Sequence, residues 1–310
     1  MKNFGIYSTA TYVPETRMTV TDLKNRGIYT DQEVKELLHK SIDSIAVEKK
    51  LSYEEMLHLI VERLMLKSNI PPQKVRYILF PYVYYSFSYD SDIYNDMTKK
   101  FGFDRATCFS IRDALCTNYV TALQVAKTLS ANIEADEFII IITIEKCHLD
   151  DQRYGGSNFI TGDAATGTLL GFNSDNIILN VATRADFRTI QEEKQRKASE
   201  DISNIQYYMN FIKLIKQTLK KENISIEDIT LFIPTNTTLQ TWEYLAKLLK
   251  LPREKIFTEG INRFGHNNNC DLVLNYEWLS SKEYIEKGNY YAMLSFANGG
   301  VLGSAVFKKG

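Results

Sequence analysis

A chain of 310 residues with 37 Lys and Arg against 38 Asp and Glu carries a formal net charge of −1, and 44% of its residues are hydrophobic. That is ordinary globular composition, long enough to bury a large core, and it excludes a disordered or collagen-like chain. The near-zero balance supplies no long-range field toward nucleic acid or an acidic membrane surface, so neither is expected as a partner. Cys108, Cys116, Cys147 and Cys270 show no metal-ligand spacing, and a disulfide framework is out of keeping with so large a core, so reduced thiols and no bound metal are expected. The apolar run Phe138 to Ile142 falls far short of the roughly 20 residues of a membrane helix, and Met1 to Gly5 has no signal-peptide apolar region, which predicts a cytoplasmic protein.

In chain order, Phe4 to Ser8 reads as a short strand. Thr30-Asp31-Gln32-Glu33 and Ser52-Tyr53-Glu54-Glu55 are capping boxes, each opening a helix with a Glu that can bond back to the cap's own N–H. The second of these helices carries Met56, Leu57, Leu59, Ile60, Leu64 and Met65 at helical period, a core-facing stripe. A strand ending at Pro81, a helix near Asp92 to Phe101, a short apolar run before Cys116, a helix through Ala122, Leu123, Val125, Ala126 and Leu129, and the Phe138 strand follow. Continuous β-branched runs separated by helices mark strands buried on both faces, hence an α/β class.

The second half replays this order. Ile229 to Pro234 echoes the strand ending at Pro81, Gly260 to His266 with a helix from Leu272 to Ile285 echoes the region of Cys116, Tyr290 to Phe296 echoes the Phe138 strand, and Gly299 to Phe307 echoes Gly162 to Gly171. Matching order implies two related halves packed on each other, residues 1–172 and 173–310. The polar stretch Gln191 to Asp201 reads as a linker or exposed loop leading into a helix with Tyr207, Phe211, Ile212 and Leu214. The glycines of Gly162 to Gly167 and Gly299-Gly300 are read as close backbone packing at strand ends, not as a phosphate-binding loop.

Six short segments in this order, Gly5-Ile6-Tyr7-Ser8 to Val13-Pro14-Glu15, Cys116 before a helix, Gly162-Asp163-Ala164-Ala165-Thr166-Gly167, Phe232-Ile233-Pro234, Phe264-Gly265-His266-Asn267 and Phe296-Ala297-Asn298-Gly299-Gly300, resemble the β-ketoacyl-acyl carrier protein synthase III family of the thiolase fold. The resemblance runs almost end to end. It implies a five-layered α-β-α-β-α arrangement, a homodimer or a heterodimer with a related synthase, and an acyl group carried on a cysteine, with no cofactor beyond an acyl-CoA or acyl-carrier-protein thioester as substrate.

On that resemblance Cys116 is the nucleophile, set at a sharp strand-to-helix turn where a helix N-terminus favours the thiolate. The other three cysteines are read as buried and inert. The family places a histidine after the Phe-Ile-Pro strand and an asparagine after the later glycine, whereas here Thr235 and Asn236 occupy the first loop and His266 the second. His39, His58 and His148 are left unassigned. The oxyanion hole is expected from the backbone N–H groups of Cys116 and Asn298. Tyr82, Tyr84, Tyr85, Phe87 and Tyr89 precede the family's acyl pocket, and line either that pocket or an interface. The family's carrier-docking arginine corresponds to Gln240, with Lys247 and Lys250 on the same helix.

Chemistry weighs the exchange. Decarboxylative condensation needs two or more donors on a developing enolate oxygen, and losing one commonly costs on the order of 100- to 1,000-fold. Acyl transfer from Cys116 to a small-molecule amine or hydroxyl needs one base, which His266 supplies, and an oxyanion hole. The expected function is such an acyltransferase in specialised metabolism. Two alternatives stay open: a carbon–carbon-forming synthase with Cys116, His266 and Asn236 or Thr235 in exchanged roles, and a non-catalytic subunit of a heteromeric synthase.

Overall fold

The structure, a computed structural model, describes residues 3–84, 92–155, 159–185, 200–297 and 300–310; at 150, 151 and 200–204 the description is of the backbone alone. Nine strands are hydrogen-bonded in one order. They are β1 (Phe4–Tyr12), β4 (Val75–Pro81), β5 (Thr107–Ile111), β6 (Phe138–Glu145), β7 (Ala164–Phe172), β8 (Asn176–Ala185), β9 (Ile229–Pro234), β10 (Tyr290–Ala297) and β11 (Val301–Lys309), in the spatial order β5-β4-β6-β7-β1-β8-β11-β10-β9. Two short strands, β2 (Arg17–Thr19) and β3 (Ser44–Ala46), pair apart from the rest. The β1–β8 seam is thin, limited to Gly5 opposite Ile177 and Ile6 opposite Asn176. Outward from it the two sides repeat: two antiparallel pairings, then a parallel one, with β7, β6 and β4 answered by β11, β10 and β9.

Strand alternation builds the layers, because successive side chains point to opposite faces. Ile139 and Ile141 of β6 pack with Tyr119, Leu123 and Ala126 of helix Asn118–Leu129, and the same cluster takes in Val273 and Tyr276 of helix Asp271–Ser281 and Tyr291, Met293 and Phe307. Their neighbours Ile140 and Ile142 turn the other way, onto Met56, Leu57, Ile60, Val61 and Leu64 of helix Tyr53–Ser68. On the far side Phe232, Ala292, Leu294 and Val306 face Phe211 and Ile215 of helix Glu200–Lys220 and Trp242 and Leu245 of helix Leu239–Leu249. Two helices thus lie between two sheet regions, each covered outside by further helices, which is the expected α-β-α-β-α order.

Both capping boxes form as the sequence predicts, and a third, Thr19 with Asp22, forms where an Asp takes the usual Glu position. The Phe4 strand runs on to Tyr12, because pairing with β7 carries the polar Ser8, Thr9 and Thr11 past a bulge between Ile6 and Ser8. The helix expected to reach Ile285 stops at Ser281. In the helix stripe Val61 is buried while Leu59 and Met65 are only half-buried. Gln191 to Ala198 and the neighbouring Ser199 lie outside the described residues. No described helix is long and apolar enough to cross a membrane.

Candidate active site

Beyond β5 the chain turns through Asp113 at φ +76° and Leu115 at φ +48° before entering helix Asn118–Leu129. A non-glycine residue in this left-handed region costs roughly 1–2 kcal/mol. The turn is held in place by side chains: Asn118 Oδ1 accepts from the Ala114 N–H at 2.9 Å and its Nδ2 donates to the Tyr82 carbonyl at 2.8 Å. Ser295 Oγ donates to the Cys116 carbonyl at 3.0 Å and meets Thr117 Oγ1 at 2.9 Å. Cys116 therefore sits half-buried in a single turn ahead of the helix, at the end where aligned N–H dipoles favour negative charge.

His266 arrives from the opposite half. Gly265, at φ +76°, makes the turn after the short helix Gly260–Phe264. The His266 carbonyl accepts from the Gly162 N–H at 2.8 Å, and a Cβ on Gly162 would lie 2.5 Å from Asn267 Oδ1, so close backbone packing is what this glycine serves. The imidazole then bridges two groups. Its Nε2 lies 3.6 Å from Cys116 Sγ, and its Nδ1 lies 2.6 Å from Oδ2 of Asp271, the fully buried residue that opens helix Asp271–Ser281. Asp271 also accepts from the Asn236 N–H at 2.7 Å and the Asn267 N–H at 2.6 Å. A carboxylate so held keeps the Nδ1 proton in place and leaves Nε2 for the sulfur. Burial by itself lowers the imidazole, but the Asp271 charge and hydrogen bond, with Cys116, outweigh it and hold His266 well above its ordinary value.

Asn236 stands behind this pair. Its Nδ2 donates to the Gly265 carbonyl at 3.0 Å and its Oδ1 accepts from Asn275 at 2.8 Å, so its amide is consumed in holding the His266 loop and makes no bond to the sulfur. Thr235 is fully buried, its N–H bonds the Leu294 carbonyl at 3.0 Å, and its hydroxyl has no hydrogen-bond partner. The second group on the sulfur is instead Asn268, whose Oδ1 accepts from Cys116 Sγ at 3.4 Å. Asn298 lies outside the described residues, as do Tyr85, Phe87 and Tyr89. Gln240 bonds the His39 carbonyl at 2.5 Å, while Lys247 and Lys250 are exposed.

Burial pushes the remaining thiols up, Cys108 to about 11, Cys147 to about 12 and Cys270 well above its ordinary value, which disfavours the thiolate at each. Among the described residues no group of three or more His, Cys, Asp or Glu side chains is arranged to hold a metal ion. Sequence reasoning passed over Asp271. Its signal was a lone carboxylate between an Asn-rich turn and an apolar helix, five residues beyond the histidine.

Residues 219–309 match the family model described as 3-oxoacyl-[acyl-carrier-protein] synthase III C terminal. Over 99% of this chain and 98% of the relative's length, the sequence is 25% identical to a β-ketoacyl-[acyl-carrier-protein] synthase III of Clostridium perfringens. The fold is similar to that of ChlB3, described as an acyltransferase, with a TM-score of 0.87 at 16% identity over 99% of this chain and 98% of that one. It is also similar to 3-oxoacyl-[acyl-carrier-protein] synthase III of Aquifex aeolicus, with a TM-score of 0.81 at 17% identity over 98% and 99% of the two chains. With this fold, these relatives and a cysteine and a histidine brought together from distant parts of the chain, the protein has the thiolase fold and resembles the β-ketoacyl-acyl carrier protein synthase III family.

Proposed function

We propose that the protein is an acyltransferase that takes an acyl group from a CoA or carrier-protein thioester onto Cys116 and passes it to the amine or hydroxyl of a small molecule, in specialised metabolism. The observation that carries this reading is the line Cys116 Sγ, His266 Nε2, His266 Nδ1, Asp271 Oδ2, at 3.6 Å and 2.6 Å. A nucleophile, a base and a buried orienting carboxylate form the set that acyl transfer requires. In the first half-reaction the sulfur attacks the thioester carbonyl, its proton passes to His266, and the leaving thiolate takes that proton away. In the second, His266 accepts the proton of the acceptor's O–H or N–H as the new ester or amide bond forms and the Cys116 thiolate leaves.

Condensation asks for donors on an enolate oxygen. Here the second group facing the sulfur presents an oxygen, and Thr235, which the resemblance sets where the family has its histidine, has a buried hydroxyl with no hydrogen-bond partner. The similarity in fold to ChlB3 supports the same direction. Dimer formation, with itself or with a related synthase, belongs to this reading. Its support is that β5 pairs only with β4 among the described strands and so lies at a sheet edge. The reading places the work in the cytoplasm, with residues 1–172 supplying the cysteine and 173–310 the histidine and its carboxylate.

Intact mass after incubation with a panel of acyl thioesters tests the loading step. Wild type is expected to gain one acyl mass and Cys116→Ala none, with its melting temperature little changed. A stable adduct on Cys116→Ala refutes the nucleophile, and no adduct on wild type points to a non-catalytic subunit. Given a malonyl thioester together with amines and alcohols, the loaded protein is expected to yield ester or amide; release of carbon dioxide with a β-keto product would overturn the reading.

A further inference from the structure

Glu145 ends β6 as a nearly fully buried carboxyl, 2% exposed, and the transfer chemistry above makes no use of it. Its partners are the two asparagines after His266. Asn269 Nδ2 donates to Oε1 at 2.8 Å and Asn268 Nδ2 donates to Oε2 at 3.3 Å. The far ends of the same two amides reach the nucleophile: Asn269 Oδ1 accepts from the Tyr119 N–H at 3.0 Å, in the first turn of the helix behind Cys116, and Asn268 Oδ1 accepts from Cys116 Sγ at 3.4 Å. Both asparagines are buried, and Asn268 holds a left-handed backbone at φ +48°.

Above about pH 7, where Glu145 is ionised, its carboxylate can only accept. Facing Glu145, both asparagines must turn their NH2 groups toward it and their oxygens away, which sends one oxygen to the helix start and the other to the sulfur. We infer that Glu145 is a positioning residue for the nucleophile: through Asn268 it sets an acceptor rather than a donor against Cys116 Sγ, and through Asn269 it ties the start of helix Asn118–Leu129 to the His266 turn. An oxygen at the sulfur orients the S–H and opposes the thiolate from that side, while His266 favours the thiolate from the other. The thiol is thereby kept oriented until His266 takes its proton.

Replacing Glu145 by glutamine keeps the volume and exchanges one acceptor for an NH2 donor. Asn269 donates to Glu145 from both backbone and side chain, so the glutamine oxygen stays with it and the new NH2 faces Asn268. The Asn268 amide then turns over and offers N–H to the sulfur, a charge-assisted bond that favours the thiolate. The groups facing Glu145 that titrate or carry charge are His266, Tyr53 of helix Tyr53–Ser68, and the thiols Cys147 and Cys270.

The test is the pH profile of iodoacetamide alkylation at Cys116, followed by peptide mass. Glu145→Gln is expected to move the midpoint down by about half a pH unit or more, roughly a threefold gain in rate on the acid side. Asn268→Gly, chosen because glycine tolerates the left-handed backbone, removes the acceptor and is expected to lower the midpoint too. In that background Glu145→Gln should add no further shift. An equal shift with and without Asn268 would show the carboxylate acting through space and overturn the inference, as would an unchanged midpoint in either single variant. Should Glu145→Gln fail to fold, Asn268→Gly alone decides by the same criterion. The inference rests on Cys116 as the acyl-carrying thiol, yet alkylation requires neither thioester nor acceptor. Its failure therefore leaves the transfer reading standing, and a failure to load an acyl group leaves the alkylation result intact.

Discussion

At Cys116 two side chains face the sulfur, His266 with Nε2 at 3.6 Å and Asn268 with Oδ1 at 3.4 Å. If His266 is the base for the acceptor, His266→Ala should slow transfer far more than loading, typically by 100- to 10,000-fold for a lost general base. Single-turnover rates for the two half-reactions check this, and an equal loss in both would assign His266 to activating the thiol. Asp271→Asn addresses the orienting group. It leaves volume intact but loses the fixed Nδ1 proton, and the expected cost in transfer is on the order of 1,000- to 10,000-fold. A variant that keeps most of its transfer rate while remaining folded would reduce Asp271 to a loop anchor for the Asn236 and Asn267 N–H groups.

The element that delivers the cysteine depends on what lies beneath it. Helix Asn118–Leu129 packs on β11 at Gly303, where an added Cβ would lie 2.8 Å from Thr117 Cγ2 and 3.0 Å from Val120 Cβ. Both residues are fully buried, so the helix start must move by several tenths of an ångström to admit a methyl group. Gly303→Ala is expected to cost roughly 1–3 kcal/mol of stability by overpacking. It should also lower the loading rate, because Cys116 sits one residue ahead of Thr117 and moves with it. Thermal melts and intact-mass loading rates measure the two effects; unchanged loading would mean that β11 rather than the helix gives way.

Across the whole molecule, the buried carboxyl of Glu145 ties folding stability to pH. Burial raises it from 4.5 to about 7 despite the asparagine hydrogen bonds that lower it. A group raised in the folded state contributes stability that is fully present below its unfolded value and is lost as pH rises through the folded one. The window is therefore pH 4.5 to 7, and the full change is about 3 kcal/mol at 1.36 kcal/mol per pH unit. His266, also raised, contributes its own loss only above its ordinary 6.5. In urea titrations at pH 5, 6, 7 and 8, wild type is expected to lose stability relative to Glu145→Gln as pH rises to about 7 and then to run parallel with it. A constant difference across the series would contradict the assignment.

The local sequence by itself determined the α/β class and the two capping boxes, because alternation, helical period and cap chemistry act between residues a few positions apart. Cys116 and His266 were legible as candidates from their loops and from the family resemblance. Their meeting at 3.6 Å across 150 residues of chain required the two halves to pack. Tertiary structure alone decided which polar neighbour serves which purpose. Asn236, expected in the site, spends its amide on Gly265 and Asn275, while the carboxylate behind His266 is Asp271 and the second group on the sulfur is Asn268. Periodicity can say which residues are buried, but not where a buried amide or carboxylate finds its partner. That depends on hydrogen bonds between segments far apart in the chain, and Glu145, an acid closing an apolar strand, acquires its role only when the Asn268 turn is laid against it.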